Sequence, residues 1–219
     1  SETTSPRKGT TPMRQALIST AALGAHLSTL AGSEQALDLR GDAYGLGAAQ
    51  VAPIARDAGF RYARYSPGRG HSNALAPAPD DMPLVSEWFL SDQHTIVSFR
   101  AEVVALKHVP AGTTVSYGYE YATGEDTTLA LISAGFADGV PRTGSPGARI
   151  RVGDTTYPIA GRIAMDQCVI DAPGLECAVG EPAIIWGDDP TVSQWALWSA
   201  RPEGALLSHL SPRVVRTWI

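Results

Sequence analysis

The sequence predicts a mainly β protein, an antiparallel barrel-like domain preceded by a small α/β unit with one crossover. Three observations carry this expectation. From residue 94 onward, short β-forming runs alternate with turn signals at regular spacing. Residues 13–66 read as helix, strand, helix, strand. Between them SPGRGHSNALAPAPDDMP, residues 66–83, is rich in Pro, Gly, Ser and Ala and reads as a linker. The expected division is a mobile tail over 1–12, an α/β unit over 13–66, a linker over 67–90 and a β-domain over 91–219.

Each element has its own signal. From Met13 to about Leu30 the apolar residues Ala16, Leu17, Ala21, Leu23, Leu27 and Leu30 recur at mixed spacings of three and four, which predicts one amphipathic helix. QALDLRG reads as a short buried strand, Ala48 to Ala58 as a second helix ended by Gly59, and FRYARYS as a further strand, which together make one parallel crossover unit. Beyond the linker, HTIVSFRAEVVALKHV, TTVSYGYEY, TTLALISAGFA, ARIRVGDTTYPIAGRIAMDQCVIDA and EPAIIWG are the barrel strands. The turns between them are marked by Pro-Ala-Gly at 110–112, Gly-Asp at 153–154 and Pro-Gly at 173–174. A helix over Ser193 to Ala200 and a strand in PRVVRTWI close the chain, and Trp186, Trp195, Trp198 and Trp218 are expected in core or dimer packing.

Composition narrows the function classes. At 219 residues the chain can bury one good core, or one core plus a small lobe. A formal net charge of −5 argues against a nucleic-acid backbone or an anionic membrane as main partner, since both call for a basic surface. Cys168 and Cys177 lie nine apart without CxxC spacing, so no zinc site is expected; a disulfide and two free thiols both remain open, with free thiols in a reducing cytoplasm favoured. The five histidines show no ligand spacing. The opening SETTSPRKGTTPMRQ has no apolar core of the signal-peptide kind, and a cytoplasmic protein is expected. The glycines of GLG and GRG are weak phosphate signals, expected as turn and linker.

Several stretches form a signature. DLRGDAYGLGAAQVA resembles the lysine motif of the pyridoxal-phosphate-dependent alanine racemases, where a strand ends in Lys-Ala-Asp-Ala-Tyr-Gly-His-Gly. Residues 97–187 resemble that family's carboxy-terminal β-domain through LKHVPAGTTVSYG, GFADGVPR, IAGRIAMDQCVIDA and GEPAIIWG, in order. The resemblance implies a fold with an alanine racemase C-terminal-like β-barrel domain and a remnant of an amino-terminal (β/α)₈ barrel, typically about 250 residues long. Here roughly sixty residues and a linker stand in that barrel's place.

The departures bear on function. The position that the family gives to the Schiff-base lysine holds Arg40, whose guanidinium stays protonated and is a poor nucleophile. The only lysines are Lys8 and Lys107. Pro212 stands where the family's phosphate-binding tyrosine is expected, and Phe136 replaces a tyrosine in GFADG. The expectation is therefore a protein without pyridoxal phosphate.

What remains is specific. Tyr117 in VSYG matches the family's second catalytic base, contributed across a dimer, while Tyr44, Asp42, Met165, Asp166 and Phe136 match positions on the substrate side. Two readings of the pair Arg40 and Tyr117 stay open. In one, Arg40 holds an anion and Tyr117 moves a proton in an isomerisation, cyclisation or elimination on a small anionic metabolite. In the other, Arg40 pairs with Asp42 or Glu34 at a strand end, Tyr117 shares a packed stripe with Tyr119 and Tyr121, and the chain is a non-catalytic dimeric binding or scaffold module. A PLP-dependent racemase is the third. Asp138 is expected as a turn residue beside Gly139. A homodimer and a small-molecule ligand are the expected partners.

Overall fold

The structure, a computed structural model, describes residues 13–32, 34–115 and 121–219. The expected tail over 1–12 and the candidate base Tyr117 lie outside the described residues. The chain divides into two compact units: Leu17–Val97 with Glu203–His209 and Arg216–Ile219 form one, and residues 13–16 with Ser98–Pro202 and Leu210–Val215 form the other.

In the first of these, β1 (Gln15–Ile18) leads into α1 (Thr20–Leu30). The single helix expected from Met13 is thus corrected: Ala16 and Ile18 are buried with period two, and Ser19 ends the strand by capping α1 through its hydroxyl, which accepts from the Ala22 N–H. β2 (Ala36–Asp38) is wholly buried, and a short helical turn α2 (Arg40–Gly45) leads to α3 (Ala48–Asp57), which buries Ala48, Val51, Ala52 and Ala55. Gly59, at φ 111°, lets the chain leave α3 toward β3 (Tyr62–Arg64).

The expected linker is also corrected. β4 (Ala76–Pro77) pairs with β3 and β5 (Leu84–Val85) pairs with β2, so the sheet is four-stranded, in order β4-β3-β2-β5, and parallel throughout. Two-residue strands carry no periodicity, and their Pro-rich flanks read as linker. Trp88 and Phe89, inside the same stretch, are core residues at 0% and 4% exposure. The Trp88 indole donates to the Asp38 carbonyl at 2.8 Å, tying this segment to the end of β2.

The second unit is the β-domain. β6 (Val97–Val109) is followed by β7 (Thr114–Val115), β8 (Tyr121–Ala122), β9 (Thr127–Ile132), β10 (Arg149–Val152), β11 (Thr155–Pro158), β12 (Cys168–Asp171) and β13 (Pro182–Trp186). β6 pairs with β13 through its first half and with β9 through its second, with an irregularity at Val103/Ala105 between them. β13 pairs with β10, β10 with β11, and β9 with β12. A bridge between Ile159 and Ile170, with the Ala160 N–H donating to Val169, joins β11 to β12 and closes the ring. The expected antiparallel barrel is therefore closed, which leaves no edge within the ring to be covered.

Inside the barrel, Phe99, Trp186 and Trp195 stack edge to face, with centroids 5.0 and 6.1 Å apart. Trp195 belongs to α4 (Val192–Ser199), started by a capping box between Thr191 and Gln194. Gly144 makes room for it, since a Cβ there would lie 2.7 Å from the indole. α5 (Glu203–Ser208) and β14 (Val215–Trp218) complete the chain, α5 being an element without a clear sequence signal. Both cysteines are free. Among the described residues no helix is long and apolar enough to cross a membrane.

Candidate functional site

Arg40 follows β2 directly, at the carboxyl end of the parallel sheet, where α/β proteins place ligands. Its guanidinium is not paired with Asp42 or Glu34. It forks onto Asp38, Nε to Oδ1 at 2.8 Å and Nη2 to Oδ2 at 2.6 Å, while its own N–H reaches Oδ1 at 3.2 Å. The Ser86 hydroxyl donates to Oδ2 at 3.2 Å. Burial pushes the Asp38 carboxyl up, but the hydrogen bonds and charge of Arg40 outweigh it and hold the carboxyl below the usual range. Asp38 was not foreseen; an acidic residue two before a strand-end arginine was the available signal.

After Arg40 the backbone turns left-handed over four residues: Gly41, Asp42, Ala43 and Tyr44 have φ of 65°, 58°, 56° and 58°. Three of these are not glycine, and such strain persists only where surrounding contacts impose it. Those contacts are visible. Asp42 Oδ1 accepts from the Ala48 N–H at 2.7 Å, starting α3. The Tyr44 hydroxyl accepts from the Glu87 N–H at 3.2 Å, and its ring packs edge-on against Phe89 and Trp88. Asp42 and Tyr44 therefore have internal partners that explain their presence in the motif.

The barrel unit holds the other candidates. The loop Gly135–Gly139 lies backbone to backbone against residues 163–167: Phe136 and Ala137 donate to the carbonyls of Ala164 and Met165 at 3.0 and 2.9 Å. Gly135 permits this approach, because a Cβ there would collide with the Ala164 carbonyl oxygen. Phe136, Met165 and Asp166 come together on this turn, Met165 55% exposed. Asp166 pairs with Arg213 at 2.7 Å, and Phe136 carries the Arg142 guanidinium 5.1 Å from its ring centre.

Asp138 is a turn residue beside Gly139, as expected, and is also a buried ionic centre. It is 0% exposed, accepts from the Gly135 N–H at 2.9 Å, and faces Arg14 at 3.0 Å and Arg213 at 3.3 Å. Distant sequence positions supply these cations, so no local motif announced them.

Beside this turn lies a pocket of about 280 Å³ lined by Tyr121, Arg142, Ser145, Pro146, Arg162 and Ile163, among others. Tyr121 donates to Asp171 Oδ2 at 2.6 Å, and Thr127 donates to Oδ1 at 2.6 Å. Burial first, then the Asp171 carboxylate, push the Tyr121 phenol up to about 12, so its one O–H stays on Asp171.

The arrangement has known counterparts. The family model described as alanine racemase, C-terminal domain, matches residues 96–218, more than half of the chain. The chain belongs to this family, as its motifs predict. The alanine racemase of Beutenbergia cavernae is 40% identical over 124 residues, 54% of this chain and 33% of that protein. That of Deinococcus deserti is 41% identical over 122 residues, 55% of this chain and 35% of that protein. The chain thus spans about a third of the length of the curated relatives it matches.

Among solved structures, alanine racemase from D-cycloserine-producing Streptomyces lavendulae superposes with a TM-score of 0.81 at 20% identity, covering 96% of this chain and 98% of that one. Alanine racemase from Bartonella henselae with covalently bound pyridoxal phosphate gives 0.76 at 17% identity, covering 94% and 99%. These likenesses concern the fold.

Covalently bound pyridoxal phosphate calls for an amine, and position 40 does not supply one. Arg40 offers a guanidinium already forked onto Asp38. Lys107 lies on β6 opposite Leu129, in the other unit from Arg40, and Lys8 lies outside the described residues.

Proposed function

We propose that this chain is an alanine racemase-family protein that binds a small carboxylate metabolite without forming an aldimine with pyridoxal phosphate. The observation that carries this reading is the Arg40–Asp38 fork: the position that the family gives to its lysine is held by a neutralised ion pair. The pocket beside Tyr121 supports it, because Arg142 and Arg162 supply cationic lining for a carboxylate. The internal partners of Asp42 and Tyr44 favour the non-catalytic form, since both residues are accounted for by folding.

Retention of Tyr117 in VSYG supports a second reading, in which that phenol moves a proton on the bound anion. We place the protein in the cytoplasm as a homodimer, an assembly that covers the outer strands β4 and β5 of the parallel sheet.

The test is calorimetric titration of the purified chain with short-chain carboxylates, no cofactor added. Saturable binding that Arg142→Gln weakens about tenfold or more, the loss of one charged hydrogen bond, supports the reading. Binding indifferent to Arg142→Gln contradicts it. Turnover found with any of these ligands and lost in Tyr117→Phe selects the catalytic form.

A further inference from the structure

A second cleft lies in the α/β unit and adjoins the Arg40 turn through Gly41. It opens at the carboxyl ends of β3 and β4, bounded by their last residues Arg64 and Pro77 and by the loop Tyr65–His71, with a volume of about 470 Å³. Crevices at the carboxyl ends of parallel strands are where such sheets bind ligands. The loop contains the GRG sequence expected as linker. The structure instead folds it over the sheet: the Gly41 N–H donates to the Ser66 hydroxyl at 2.9 Å, and the Tyr65 ring packs 4.7 Å from the His71 ring.

The charge in this cleft is one-sided. Its lining contains Arg64, Arg69 and His71 and no carboxylate, on a chain whose net charge is −5. Arg64 Nη2 donates to the Pro79 carbonyl at 2.5 Å, while its Nε is buried without a hydrogen-bond partner. The nearby acids are committed elsewhere: Asp38 to Arg40, and Asp42 to the Ala48 N–H. Asp42 abuts the loop at Gly70, where φ is 43° and a Cβ would collide with the carboxylate.

A partly buried guanidinium with no counter-ion among the described residues is costly, and an oxyanion bridging two arginines relieves it. We infer that this cleft binds a phosphate group, as phosphate or on a small phosphate ester, held between Arg64 and Arg69 with the Ser66 hydroxyl beside it. A dianion suits two guanidinium groups better than a monocarboxylate does.

The experiment titrates the full chain with inorganic phosphate by calorimetry, with acetate as the contrasting anion, and then repeats it on Arg64→Gln and Arg69→Gln with circular dichroism as the folding check. Saturable phosphate binding, at least tenfold stronger than acetate binding at the same site and weakened at least tenfold by either variant, is the expected result. Arg69 is exposed, so Arg69→Gln decides the matter if Arg64→Gln fails to fold. No saturable binding, or binding unchanged in Arg69→Gln, overturns the inference. Loss of phosphate binding in Arg142→Gln with retention in Arg69→Gln places the ion in the barrel pocket, and overturns it as well.

Discussion

Among single residues, Arg40 stands where the motif resemblance expects a lysine. Asp38 and Arg40 form a two-pronged pair with Arg40 half exposed, so its worth is that of a surface pair with good geometry, about 0.5–1 kcal/mol. The Asp38 carboxyl is depressed in the folded state, so this stabilisation is present above the unfolded carboxylate value of about 3.9 and is lost as pH falls through the folded value. Denaturant unfolding of Asp38→Asn is expected to show a small loss at neutral pH that shrinks as pH falls below the unfolded carboxylate value of about 3.9. Tyr121 has the opposite sign. Its phenol is raised, so its contribution is full below about 10 and is lost as pH rises toward about 12. Tyr121→Phe should flatten that part of the alkaline unfolding profile. Of the thiols, buried Cys168 is pushed up to about 12 by burial and by Asp138, whereas Cys177 is half-buried and raised less. A native-state thiol titration is expected to modify Cys177 slowly and Cys168 only after unfolding.

The elements show which signals survive in a single sequence. The barrel strands were legible because alternation and turn residues are local, and β6, β9, β10 and β13 fall inside the runs that predicted them. β4 and β5 were not, because two residues cannot display a period and their parallel partners lie far along the chain. β1 was absorbed into a helix because Ala16, Leu17 and Leu23 fit a helical stripe as well as a strand and its cap. The supposed linker in fact supplies Trp88, whose side chain is fully buried and whose indole holds the end of β2. Trp88→Ala should cost about 3–5 kcal/mol in chemical denaturation. That figure is the sharpest contrast with a true linker residue, for which a surface-like change within about 0.5 kcal/mol is expected. The GFADG loop makes a parallel point, since Gly135 is required by the close approach of the Ala164 carbonyl. Gly135→Ala is accordingly expected to disturb the Met165 and Asp166 turn and lower thermal stability.

For the whole molecule, family and barrel were readable because several ordered motifs carry them, and the family match over residues 96–218 covers the same region. The site was readable only in part. Arg40 stood out where the resemblance expects a lysine, with its partner Asp38 two residues before it, but the Asp138 centre with Arg14 and Arg213 depends on contacts between residues that no motif links. What the motif retained, Asp42 and Tyr44, proves to hold a strained turn and an aromatic cluster together, which is reason enough for both without chemistry. The account therefore rests on the claim that this chain does not form the covalent link to pyridoxal phosphate. Absorbance titration of the purified chain with one equivalent of pyridoxal phosphate, followed by borohydride reduction and intact mass, tests it directly. The account predicts no aldimine band and an unchanged mass; a stable band with a trapped adduct on Lys107 or Lys8 would contradict it.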